Sequence, residues 1–185
     1  MNTLSFVTGN TVKFRFADEI CKQFGITINQ VELDIPEMQA ESGEPVARDK
    51  AKRAFEQLQK PVIVTDDSWV IPALKGFPGP YMKSMNVWFT PQDWLRLTST
   101  LEDREIILRQ IAVYQDEHEQ VLFSVDIKGT MLTEARGESK YPHNTFVSFD
   151  GVHTEAEAHA KGQSAAIGHH SAWHELAEWL KARES

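Results

Sequence analysis

Between Val62 and Lys83 a short β-branched run, Val62-Ile63-Val64-Thr65, meets two adjacent carboxylates, Asp66 and Asp67. Pro72, Gly76, Pro78, Gly79 and Pro80 follow within a few residues. The run predicts a buried strand. The strand is expected to stop at the acids and give way to a long irregular loop. Open α/β sheets carry their chemistry at such strand ends. Adjacent strand residues point to opposite faces. One acid can therefore face a cleft while the other holds the loop or a second metal. The plainer alternative is a polar strand end closed by an Asx-type turn.

A chain of 185 residues, 41% hydrophobic, is expected to form one domain over 1–185 with a core of its own. Its formal net charge of −8 argues against a nucleic-acid binder acting through a broad basic surface. A small anionic ligand stays open, because a few lysines and a metal ion can reverse the local potential. Cys21 is the single cysteine, which excludes an intramolecular disulfide. No basic leader and no apolar run near 20 residues is seen, so no membrane association and a cytoplasmic location are expected.

Leu4-Ser5-Phe6-Val7 reads as a first strand, running through Thr8-Gly9-Asn10 into a helix with Val12, Phe16, Ile20 and Phe24 near one face and Gly25 at its end. A strand–Gly–helix junction presents backbone N–H groups and the positive helix end, both favourable to phosphate. Lys13 in the first turn opposes the helix dipole and would serve an anion better than the helix. An ordinary βα turn is the alternative. Ile26 to Ile35 reads as a second strand, and Ser42 to Pro45 starts a helix with Ala47, Ala51, Ala54, Phe55 and Leu58 on one stripe. Thr90-Pro91 starts another, with Trp94, Leu95 and Leu97 packing. Ile106 to Tyr114 and Val121 to Ile127 form a hairpin turned by Gln115 to Glu119. Residues 135–145 read as a polar loop, 146–151 as a brief strand and turn, and 154–163 as partly helical. A last helix buries Trp173, Leu176, Ala177 and Leu180. His170 and His174, at i and i+4, have zinc-chelating spacing without the metalloprotease Glu, so solvent-exposed histidines are the expectation.

Several of these segments together resemble the inosine triphosphate pyrophosphatase family. They are Phe6 to Asn10 with Lys13, Leu33 to Gln39, Ala47 to Ala51, and Pro61 to Lys83 with its Gly76-Phe77-Pro78-Gly79-Pro80-Tyr81; Ala135-Arg136-Gly137 and Gly168-His169-His170 match more weakly. The resemblance implies an elongated α/β fold, a central mixed sheet flanked by helices, with two lobes and a cleft between them. It implies a homodimer, and Mg²⁺-dependent cleavage of a nucleoside triphosphate to monophosphate and pyrophosphate. By position, Thr8, Asn10, Lys13 and Lys50 would hold phosphates. Glu37 would bind metal, and Asp66 would bind metal or activate water, with Asp67 a further acid of smaller effect. Asp66 and Lys13 are the catalytic candidates. Mg²⁺ suits this set, since it takes one or two carboxylates plus substrate phosphates.

The second half departs from the family. Its base-pocket motif Phe-Gly-(Tyr/Trp)-Asp-Pro reads Tyr141-Pro142-His143-Asn144-Thr145 here, and Ser-His-Arg reads Gly168-His169-His170. The usual lysine before it falls near Ser164. Tyr141, His143, Asn144, His169 and His170, with Lys83, are the candidate substrate contacts of this half. The expectation is a pyrophosphatase with an altered or relaxed base pocket, whose preference shifts between about pH 5.5 and 8 as histidines titrate. A nucleotide sensor of the same fold, or an enzyme for a pyrimidine or modified nucleotide, is the rival reading.

Overall fold

The computed structural model describes residues 4–36, 38–162 and 168–183. The backbone packs into two compact units, one of residues 1–67, 110–125 and 170–185, the other of 68–109 and 126–169. The strand order is β2 (Ile28–Val31), β1 (Leu4–Val7), β3 (Val62–Val70), β5 (Glu105–Gln115), β6 (Gln120–Met131) and β7 (Val147–Ser148), with β4 (Pro78–Gly79) beside β3.

In the first unit, β1 (Leu4–Val7) lies parallel to both β2 (Ile28–Val31) and the start of β3 (Val62–Val70). Helices α1 (Thr11–Gln23) and α2 (Gly43–Leu58) make the two crossovers that parallel pairing requires. Ala17, Ile20 and Cys21 of α1 pack with Phe6, Ile63 and the final helix α6 (Ala172–Ala182). Ala47, Ala51 and Ala54 of α2 pack with Val7, Val62 and Val64. Even and odd residues of β3 thus face different helices, as the period of two demands. Gly25, at φ +74°, closes α1: its N–H reaches Lys22 C=O while that of Ile26 reaches Cys21 C=O. Val12, expected on the buried face, is 61% exposed, because the stripe runs through Ala17 and Cys21 instead. β2 is shorter than expected, and Ile35 reaches the core as an isolated buried residue beyond it.

The second unit takes in the rest of β3, the 3-10 turn Pro72–Leu74, β4 (Pro78–Gly79), α3 (Met82–Trp88) and α4 (Pro91–Thr98). It also holds the 3-10 turn Pro142–Thr145, β7 (Val147–Ser148) and α5 (Glu155–Ala160). Ile71, Met82, Met85, Trp94, Ile106, Met131, Phe146 and Val147 form its core. β5 (Glu105–Gln115) and β6 (Gln120–Met131) form the expected hairpin. Asp116 Oδ1 accepts from His118 N and Glu119 N and closes the turn.

The strand beginning at Val62 does not stop at the acids. β3 continues to Val70, because Trp69 and Val70 pair antiparallel with Gly79 and Pro78. The Pro/Gly segment therefore folds back as a built turn, with Gly76 at φ +95° and Gly79 at φ +58°. Thr90 caps α4 as expected, but Leu97 is partly exposed rather than packed. No described helix is long and apolar enough to cross a membrane.

Candidate active site

The C-terminal end of β1 and the start of α1 bring the first group of residues together. Thr8 Oγ1 accepts from Asn10 N at 3.1 Å. Asn10 is the N-cap of α1: its Oδ1 accepts from Val12 N at 2.9 Å and Lys13 N at 3.2 Å. Half of the Asn10 side chain is thus spent on the helix, and its NH₂ is the part that can donate to a ligand. Lys13 Nζ lies 2.9 Å from Asp67 Oδ2, both partly buried. Asp67 has the parity of Ile63, which packs against α1, so it faces the helix that carries Lys13. Asp66 has the parity of Val64, which packs against α2, the helix that carries half-buried Lys50. The two acids are divided between two helix faces, as alternation predicts.

Glu37, the expected metal ligand, lies outside the described residues, as does Ser164. Among the described residues no three His, Cys, Asp or Glu side chains converge as a metal cage. One carboxylate beside the loop escaped the sequence reading. Glu32 follows β2, and its Oε1 would stand 3.1 Å from a Cβ placed on Gly9. The register that pairs Val7 with Val31 was the signal, since it sets Glu32 beside Thr8.

The second unit holds the other group. The segment read as a polar loop is a 3-10 turn with His143, Asn144 and Thr145 buried. His143 Nδ1 is 2.8 Å from Asn86 Oδ1 on α3, and its ring meets Trp69 edge-on at 4.8 Å. Burial, and secondarily the nearby His159, push its pKa down to about 3. His143 is therefore neutral throughout pH 5.5 to 8, and it cannot supply the expected titration of base preference. Asn144 Nδ2 donates to Ser139 Oγ at 3.2 Å. Tyr141 is partly exposed, its ring 6.1 Å from that of His143. Lys83 sits exposed in the first turn of α3, and His169 lies against Phe149 at 6.0 Å. Neither Asn86 nor Trp69 stood out in the sequence; no motif marks a residue that only supports another. On α5, Glu155 is buried with Oε2 3.0 Å from His159 Nε2, an ion pair that raises the His159 pKa.

His170 belongs to the first unit, 3.7 Å from Glu175. His174 spends Nδ1 on capping α6, accepting from Ser171 N at 3.2 Å and from Ser171 Oγ at 2.8 Å. His174 thus serves the helix start, while His170 stays exposed beside Glu175.

Residues 4–179 match the model of the Ham1 family. The chain is 32% identical over 178 residues to the dITP/XTP pyrophosphatase of Methanopyrus kandleri, covering 95% of each. It is 31% identical to the inosine triphosphate pyrophosphatase of Tuber melanosporum over 97% of each chain. A HAM1 protein from Coxiella burnetii has the same fold, with a TM-score of 0.76 at 19% identity over 97% of this chain and all of that one.

Proposed function

The chain belongs to the Ham1 family, and from that membership we propose that it hydrolyses a nucleoside triphosphate to the monophosphate and pyrophosphate, using Mg²⁺. The relatives carry names of that activity over nearly their whole length. The observation that carries the reading is the Lys13–Asp67 ion pair beside Thr8 and Asn10, where β1 ends and α1 begins. A cation, a capped helix start and two acids within β3 are what a polyphosphate and its counter-ion need.

The donor chemistry fits Mg²⁺ shared with substrate. Asp66 and Asp67 offer oxygens only, and the charge of Asp67 is already offset by a cation. Glu37 would complete the set by position. When bound, the ion neutralises phosphate charge and lowers the pKa of a coordinated water. The protein residues do the rest. Thr8 and the Asn10 NH₂ donate to phosphate oxygens at the helix start. Lys13 Nζ turns from Asp67 Oδ2 to a phosphate oxygen and offsets charge on the leaving pyrophosphate. That exchange frees a carboxylate oxygen of Asp67 to take the proton of the attacking water. In our reading Asp67 takes the greater catalytic share, which the sequence reading assigned to Asp66.

A homodimer, cytoplasmic residence and an altered base pocket belong to the same proposal. Val87 and Trp88, 79% and 71% exposed at the end of α3, offer apolar surface for a dimer. Pyrophosphate release from a nucleotide panel, with Mg²⁺ and with EDTA, tests the activity. Release that needs Mg²⁺ and yields monophosphate supports it. Binding without turnover would make the protein a sensor instead.

A further inference from the structure

Gln30 of β2 holds the loop that joins β1 to α1. It shares the parity of Ile28, which packs on the α1 side, so its side chain lies on the face where β1 turns into that helix. Its Nε2 donates to Thr8 C=O at 2.9 Å, while Thr8 N donates to Val31 C=O at 2.9 Å. Both backbone groups of Thr8 are thus held towards β2. The Thr8–Gly9 peptide is trans, so its C=O and N–H point in opposite directions. Fixing Thr8 C=O therefore fixes Gly9 N–H, which points away from β2. β1 lies between β2 and β3, so that direction is the side on which Lys13 meets Asp67. Gly9 is exposed, and among the described residues no acceptor takes its N–H. Its own backbone does not demand a glycine. Gly9 is not among the residues with left-handed φ, and a Cβ on it would first meet the carboxylate end of the exposed Glu32 side chain. What the bare Cα allows is close approach of a ligand to the N–H.

We infer that Gln30 is a positioning residue of the phosphate site: by holding Thr8 C=O it aims Gly9 N–H at a phosphate oxygen of the substrate. The role deepens the pyrophosphatase reading and rests on it. An N–H donating to a charged oxygen makes a stronger bond than a neutral pair does, and a donor oriented beforehand loses no freedom on binding. Without the Gln30 amide the Thr8–Gly9 peptide can turn, since Gly9 has no Cβ to restrain it, and the N–H loses its aim. Gln30 acts through that peptide and touches no substrate itself.

The test follows the Gly9 amide by NMR in protein isotopically labelled at its ten glycines, titrated with inorganic pyrophosphate and Mg²⁺. In the wild type the Gly9 resonance moves downfield as pyrophosphate binds. Gln30→Met keeps the length of the side chain and removes the donor. Pyrophosphate affinity, and KM for the best-cleaved triphosphate of a nucleotide panel, then weaken about tenfold, the size of one hydrogen bond to a charged group. The Gly9 shift at saturation shrinks with them. Lys13→Ala also weakens pyrophosphate, but Gly9 still moves fully at saturation, which separates a lost charge from a lost aim. A Gln30→Met protein that binds pyrophosphate as tightly as the wild type, with the full Gly9 shift, overturns the role of Gln30 and leaves the phosphate site standing. A wild-type Gly9 resonance that stays in place while pyrophosphate binds overturns it too, without any variant having to fold. Should the wild type neither bind pyrophosphate nor cleave any triphosphate, the pyrophosphatase reading itself fails, and the role of Gln30 with it.

Discussion

Asp66 and Asp67 differ by one position along the chain and by a whole helix in what they face. Asp67 meets Lys13 at 2.9 Å on the α1 side, and Asp66 has the parity of residues packed on α2. Asp67→Asn is expected to lower kcat at least about 10²-fold, the loss typical of a general base or metal ligand. Asp66→Asn should lower it less and raise the Mg²⁺ needed for half-maximal rate. Rapid-quench turnover at saturating Mg²⁺ decides the order; a larger loss in Asp66→Asn would return the base to that residue. Lys13→Ala should weaken triphosphate binding more than monophosphate binding, because it removes a charge beside the outer phosphates. Equal losses for both ligands in titration calorimetry would place Lys13 away from the phosphates.

At the scale of elements, capping and close approach carry testable weight. Thr90 and Asp93 form a reciprocal capping box at α4, whose Trp94 is fully buried. Thr90→Ala should cost about 1 kcal/mol, or about 2–4 °C in Tm for a chain of this size. Gly129 of β6 is tighter. A Cβ there would stand 2.8 Å from the Ser148 carbonyl oxygen, so Gly129→Ala must push β7 away, at about 1–3 kcal/mol. Thermal melts rank the two; an unchanged Tm in Gly129→Ala would mean that β7 yields freely. These elements also show what the sequence made legible. Thr90-Pro91, the alanine stripe of α2 and the Asp116 turn follow from local chemistry, so local reading found them. The extension of β3 past Asp67 depends on a partner, β4, supplied by residues 78–79, and no property of residues 66–70 alone announces it. The same holds for residues 142–145. Polar composition suggested a loop, whereas His143 is buried because Asn86 and Trp69, distant in sequence, satisfy and pack it. Thr8, Asn10 and Lys13 were legible because they cluster in a short motif; Asn86 and Trp69 were not, because tertiary contact alone unites them with His143.

For the whole molecule, acid stability turns on groups whose folded and unfolded pKa values differ. His143 falls from 6.5 to about 3 on folding, since burial disfavours the imidazolium. Between those values the unfolded chain binds a proton that the native one refuses. Stability is full above pH 6.5 and declines as pH drops towards 3, at up to about 1.4 kcal/mol per pH unit for one proton. Carboxylates held low, such as Asp126 by its hydrogen bonds from Arg109, act in the same direction but below about pH 4. His159 acts oppositely: Glu155 raises its pKa, so its contribution is present below 6.5 and is lost as pH rises through the raised value. His143→Phe removes the first of these and leaves the others. The expected result is a pair of Tm curves that differ most in slope between pH 6.5 and 4, the variant losing about 2–4 °C less per pH unit than the wild type. Parallel curves across that window would show that folding does not lower the His143 pKa.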